Sequence, residues 1–275
     1  FYGVLGTPAC RFFSPKLASS ITRRGHEVLS RSRELIEARG HQVIYGDTDS
    51  LFVLVDEGLD PDGCEETGRR LAAELNDWWR EHIAREHRLE SALEVEFETH
   101  YLKFLMPTLR GSERGTKKRY AGTVRTKDGA IRMVFRGLEA VRTDWTKLAR
   151  RFQRELYRRV FAGEEYEDWA RQLVEDLYEG RLDEELVYRK RLRRGVEDYG
   201  KAPPQHVQAA RKLGRPVRSI AYYITTQGPE PAAARTSPID YDHYLERQLA
   251  PAADGLLRFL GTDLMSIAGR QLSLF

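Results

Sequence analysis

The chain has 275 residues, with 45 lysines and arginines against 42 aspartates and glutamates, for a formal net charge of +3. At 41% hydrophobic it has material for a sizeable core, which excludes a disordered chain, and no run approaches the roughly 20 apolar residues that cross a bilayer. Phe1–Leu5 lacks the basic start and cleavage site of a secretory leader. Cys10 and Cys64 give neither a metal-ligand spacing nor a disulfide framework, so a reducing, cytoplasmic setting is expected. The first residues read as the middle of a structural element, so the sequence is expected to be a fragment. With the charges nearly balanced, local clusters must decide the partners.

In chain order, Ser14-Pro15 is a helix start, a capping hydroxyl followed by proline at the first helical position. Leu17, Ile21, Val28, Leu35 and Ile36 then recur at helical spacing until Gly40. Two short apolar runs, 42–45 and 51–55, flank Gly46-Asp47-Thr48-Asp49-Ser50, which predicts a β-hairpin. A second helix is expected over 65–87, with Leu71, Leu75, Trp78, Trp79 and Ile83 on its apolar side. Residues 93–98 alternate with period two, as a half-buried strand does. Strands are expected over 119–125 and 130–135, joined by the Asp128-Gly129 turn. From Asp144 to about Leu213 the pattern reads as helical and arginine-rich. A strand over 219–226, a proline-broken loop and a helix over about 242–260 complete the series.

The hairpin carries the chemistry. Asp47 and Asp49 stand two residues apart at its tip, so both carboxylates can face one side. Hard oxygen ligands of that kind suit Mg²⁺ and phosphoryl transfer. Two metals about 3.5–4 Å apart would still need a further carboxylate from elsewhere. A bare Asp-x-Asp is equally read as turn chemistry, and an Asp-x-Asp sugar transferase also fits it. An EF-hand loop does not, since Leu51 occupies a ligand position.

Two cationic clusters follow. Lys117-Lys118-Arg119-Tyr120 sets charge beside an aromatic and can neutralise phosphates, although such clusters are commonly just solvated. Arg189-Lys190-Arg191 and Arg193-Arg194 are interleaved by Tyr188 and Leu192, so one side of a helix could pack while the other faces phosphate. The alternative is a charged helix paired with Asp183, Glu184 and Glu185.

Taken together, Tyr45-Gly46-Asp47-Thr48-Asp49-Ser50 resembles the third polymerase motif of family B DNA polymerases. Tyr2-Gly3 resembles the end of the fingers-to-palm motif, Lys117-Lys118-Arg119-Tyr120 the Lys-Lys-x-Tyr motif, and Gly137–Trp145 the segment from palm to thumb. These stand in the family's order and span almost the whole chain, with the bacterial members most alike.

The resemblance implies an α+β fold, an antiparallel palm sheet with packed helices followed by a mostly helical thumb. Residues 1–142 would be palm, 143–266 thumb and 267–275 a tail. It implies a DNA-directed DNA polymerase that uses two Mg²⁺ ions, primer–template DNA and deoxynucleoside triphosphates. Asp49, ranked above Asp47, would hold metal, shared with an aspartate upstream of Phe1. Lys117, Lys118, Arg119 and Tyr120 would hold the primer, with Lys118 reading the minor groove. Arg142, Arg189, Lys190 and Arg191 would contact the duplex, and Tyr2, Gly3 and Thr48 the nucleotide. Glu98 lies where the family tends to carry a palm glutamate, but the Glu94/Glu96/Glu98 alternation favours a solvent-facing stripe. The last residues, Gln271, Leu272, Leu274 and Phe275, resemble the bacterial sliding-clamp-binding pentapeptide, an extended peptide that threads an apolar groove. Alone, the fragment is expected to be inactive. The rival to a polymerase is a non-catalytic DNA- and clamp-binding module or a split-polymerase subunit.

Overall fold

A computed structural model describes residues 2–56, 58–107, 118–200 and 202–269. The chain divides into two compact units, Phe1–Leu102 and Lys103–Phe275.

The first unit opens with the short helix α1 (Tyr2–Leu5) and the long α2 (Pro15–Glu37). Ser14 caps α2, its hydroxyl accepting from the Leu17 amide at 3.4 Å, and Pro15 sets the first helical residue. Strands β1 (Gln42–Asp47) and β2 (Ser50–Leu54) form the expected antiparallel hairpin, with a bulge between Val43 and Tyr45. Helix α3 runs Pro61–His87 and starts four residues before the predicted boundary. Asp60 is the reason: its carboxylate accepts from the Gly63 amide at 2.8 Å, and Pro61 follows it. α3 buries Cys64, Thr67, Leu71, Leu75 and Trp79, a stripe at helical spacing. The Trp79 indole donates to the buried Ser32 hydroxyl of α2 at 2.9 Å. Ile36, Val43 and Leu75 make the small core of this unit, with Leu35, Leu51, Val53 and Val95 around it.

Residues 93–98 differ from expectation. Burial does alternate, Val95 and Phe97 turned in and Glu94, Glu96 and Glu98 out, but the segment joins no sheet among the described residues. Its partner is a side chain. Asn76 of α3 donates to the Val95 carbonyl at 2.8 Å and accepts from the Val95 amide at 2.7 Å, as a neighbouring strand would. Period two reports two-sided exposure; a ladder also needs a second backbone.

The second unit begins with an antiparallel sheet of β3 (Lys103–Leu105), β4 (Tyr120–Arg125) and β5 (Ile131–Arg136), in that order. Helices α4 (Lys147–Ala162) and α5 (Glu167–Tyr178) follow. Strand β6 (Tyr188–Arg191), helix α6 (Gln205–Lys212), and strands β7 (Ser219–Thr225) and β8 (Gly228–Pro231) come next, with sheet order β6-β7-β8. Helices α7 (Tyr241–Tyr244), α8 (Ala250–Leu257) and α9 (Leu264–Ile267) close the described chain. Leu148, Phe152, Leu156 and Tyr157 of α4 are fully enclosed and centre a core that also takes in α5, α8 and the second sheet. Leu148, Phe152 and Leu156 each contribute about 1.5–3 kcal/mol on burial.

One correction belongs here. The run Arg189-Lys190-Arg191 lies on a strand, not a helix. Tyr188 and Leu192 are indeed both buried, but residues four apart share a face in a strand as well as in a helix. The helix expected over 242–260 is present and runs without a gap from Tyr241 to Leu260, through Pro251, which has no amide to donate. Ahead of it the backbone widens to a π-turn over Leu245–Leu249, and the Ala250 amide donates five residues back to Leu245. The α+β class with small antiparallel sheets and packed helices is as expected. No described helix is long and apolar enough to cross a membrane.

Candidate active site

The hairpin tip is built from the strands outward. Asp47 pairs with Ser50 in the β1–β2 register, so only Thr48 and Asp49 form the turn. Gly46 lies just below it, where an added Cβ would stand 2.9 Å from the terminal methyl of Leu51 and push that side chain aside. Tyr45 and Phe52 pack across the strands at 5.5 Å, stiffening the base of the turn.

Thr48 carries a positive φ of 51°, unusual for a β-branched residue. Such a conformation costs about 1–3 kcal/mol and persists where neighbours over-determine it. Here the Asp49 amide donates to the Asp47 carbonyl at 2.5 Å, and the Thr48 hydroxyl donates to the Asp47 carboxylate at 3.2 Å. The Ser50 hydroxyl reaches the same Asp47 carbonyl at 3.3 Å. The result is a tight turn with Asp47 half-buried and Asp49 and Thr48 exposed. Two carboxylates on one turn are donors of the kind a hard divalent cation takes. They are incomplete as a site, since no group of three or more His, Cys, Asp or Glu that could hold a metal occurs among the described residues.

In the second unit the Lys-Lys-Arg-Tyr cluster is partly described. Lys117 lies outside the described residues, while Lys118 is exposed and has a φ of 66°. Tyr120 begins β4, pairs with Arg136 and packs on Phe104 at 5.3 Å. Arg119 turns inward, its guanidinium on the buried carboxylate of Glu139. Arg142, also expected to reach DNA, is held in a two-pronged pair with Asp144 at 3.1 and 2.7 Å. The Arg142 hydrogen bonds hold the Asp144 carboxyl below the usual carboxylate range. Arg189, Lys190 and Arg191 are exposed along β6, and Arg194 stacks on Tyr199 at 4.5 Å. Tyr2 is 55% exposed and lines an open depression of 560 Å³ with Phe13 and His26; Gly3 lies beside it in α1. Gln271, Leu272, Leu274 and Phe275 fall outside the described residues.

Residues 1–260 match the sequence model of DNA polymerase family B. The chain belongs to DNA polymerase family B. It is 50% identical to DNA polymerase II of Escherichia coli (strain K12), over all of this chain and 36% of that protein. It is 30% identical to DNA polymerase 2 of Aeropyrum pernix, over 98% of this chain and 32% of that protein, and 29% identical to the DNA polymerase of Archaeoglobus fulgidus. The family B chain thus spans about a third of the length of the curated relatives it matches.

Sequence reasoning missed two buried residues of this family B chain, Glu139 and Gln153. Glu139 is 4% exposed and Gln153 1%, and the Gln153 amide donates to the Glu139 carboxylate at 2.8 Å. One signal was available: Glu139 is a lone carboxylate inside the apolar run Leu138–Val141.

Proposed function

We propose that this chain is part of a DNA-directed DNA polymerase acting in replication or repair, which extends a primer by two-metal nucleotidyl transfer. The observation that carries the reading is the strained carboxylate turn Asp47-Thr48-Asp49, in a chain whose first 260 residues match family B.

In this reading Asp49 and Asp47 hold Mg²⁺ together with a carboxylate from outside this chain. Mg²⁺ held there would supply Lewis-acid activation of the primer 3′-hydroxyl and neutralisation of the charge on the α-phosphate as pyrophosphate departs. Thr48 holds the turn in shape beside the triphosphate. Lys118 and Tyr120, with Lys117, position the primer end. Lys118 does so from the minor groove, where contacts sense base-pair shape with little sequence content. Tyr2 and Gly3 face the nascent pair, and Arg189, Lys190 and Arg191 neutralise duplex phosphates. Arg142 and Arg119 contribute less, since each already holds a carboxylate. Residues 1–142 act as palm and 143–266 as thumb, a functional division that differs from the 102/103 break between compact units. The protein works in the bacterial cytoplasm.

The full-length protein should extend a primed template in Mg²⁺, and this chain alone should incorporate nothing. Incorporation by the chain alone would show that its carboxylates suffice. Failure of the full-length protein to extend would leave the rival, a non-catalytic DNA- and clamp-binding module.

Gln271, Leu272, Leu274 and Phe275 would thread into the apolar groove of a bacterial sliding clamp. Deleting 271–275 from the full-length protein should abolish clamp-stimulated processive synthesis and spare basal extension. Equal product lengths with and without the tail would count against clamp binding.

A further inference from the structure

Lys118 is a non-glycine residue with left-handed backbone, two residues before β4, which begins at Tyr120. L-residues hold that conformation only where the surroundings impose it. Two features impose it here, and both come from the segment after β5.

The first is Gly137. A Cβ built there would lie 2.1 Å from the Lys118 carbonyl oxygen, so only a bare α-carbon lets the two segments approach this closely. Gly137 is itself left-handed, at φ 62°. The second is Glu139, which holds the guanidinium of Arg119, the next residue along from Lys118. Glu139 is in turn held from behind. Gln153 of α4 donates to its second oxygen at 2.8 Å, accepts from the Ala140 amide at 2.6 Å, and donates to the Ala252 carbonyl of α8 at 2.8 Å. The Arg154 guanidinium adds a bond to the Ala140 carbonyl at 2.5 Å. A buried carboxylate tied at both oxygens cannot swing, so the Arg119 backbone is anchored to the helical core through it.

We infer that Glu139 is a positioning residue for Lys118: through Arg119, and with Gly137 beneath the Lys118 carbonyl, it fixes the backbone that presents the Lys118 ammonium to the primer. The inference rests on the proposed role of Lys118 and deepens it. Glu139 is buried and touches no DNA itself. Simple electrostatics gives the opposite expectation, because removing a negative charge beside a DNA-binding surface should tighten binding.

The test is a double-mutant cycle in the full-length protein, reading primer–template dissociation constants, with circular dichroism as a check on folding. Lys118→Ala should weaken binding about tenfold in the parent, a typical loss for one contact. Glu139→Gln should also weaken it, and Lys118→Ala should then cost less than about twofold in the Glu139→Gln background, because contacts that act as one unit are not additive. Arg119→Lys, which keeps the charge, should retain part of the Lys118 effect. A full tenfold cost of Lys118→Ala in the Glu139→Gln background overturns the positioning role and leaves the primer role of Lys118 standing. No cost of Lys118→Ala in the parent overturns the primer role, and the positioning role with it. Where Glu139→Gln does not fold, the pair Arg119→Met and Glu139→Leu leaves no lone buried charge and carries the same comparison. A full Lys118→Ala cost in that background also overturns the proposal.

Discussion

Asp49→Ala in the full-length protein is expected to lower the rate of primer extension by about a thousandfold or more, while primer–template affinity stays within about threefold. The asymmetry follows from the turn. Asp49 is exposed, and its backbone amide, which alanine keeps, is what closes the turn on the Asp47 carbonyl. Removing the carboxylate therefore costs the fold little and, on the proposed role, takes away a metal ligand. Asp47→Ala is a poorer test, because the Asp47 carboxylate also accepts from the Thr48 hydroxyl and so helps to hold the strained residue. Single-turnover extension over a range of Mg²⁺, with binding followed by anisotropy, separates the two effects. Unchanged extension by Asp49→Ala would sink the metal-ligand role.

The largest effect on stability is expected from Phe152→Ala, at about 3–5 kcal/mol. Phe152 is fully buried on α4 and stacks on Trp169 of α5 at 5.5 Å, with the Arg159 guanidinium 5.0 Å from the same indole. Truncation empties the space under that indole and loosens α4 from α5 together. A protein with several domains need not unfold in one step, so the loss is best read locally, by hydrogen exchange in peptides covering α4 and α5. Exchange there should approach that of open segments. Unchanged protection would show that the core closes over the gap.

The hairpin, α2 and the β4–β5 pair were legible because local signals agree there. Ser14-Pro15 marks a cap, Asp128-Gly129 a turn, and apolar runs flank Gly46–Ser50. Residues 93–98 and 188–192 misled for one shared reason. Spacing along the chain reports which side chains are covered, but a strand also requires a backbone neighbour that may be distant in sequence. For 188–192 that neighbour is β7, with Tyr188 opposite Tyr222. At the site, the residue types of Asp47, Asp49 and Lys118 were readable from their motifs. The inward turn of Arg119 was not, because a cation within a basic cluster looks the same in sequence whether it faces solvent or a buried carboxylate.

The strand conformation of Arg189-Lys190-Arg191 also changes the geometry of those charges. Three basic residues on a helix would crowd within about 3 Å of axial rise and fan out around the axis. On a strand, Arg189 and Arg191 share one face about 6.6 Å apart, and Lys190 lies on the other. In the proposed duplex contact, Arg189 and Arg191 would therefore reach phosphates from one side of the strand, with Lys190 turned away from them. The segment is thus better described as two guanidinium groups one pleat repeat apart than as a basic patch.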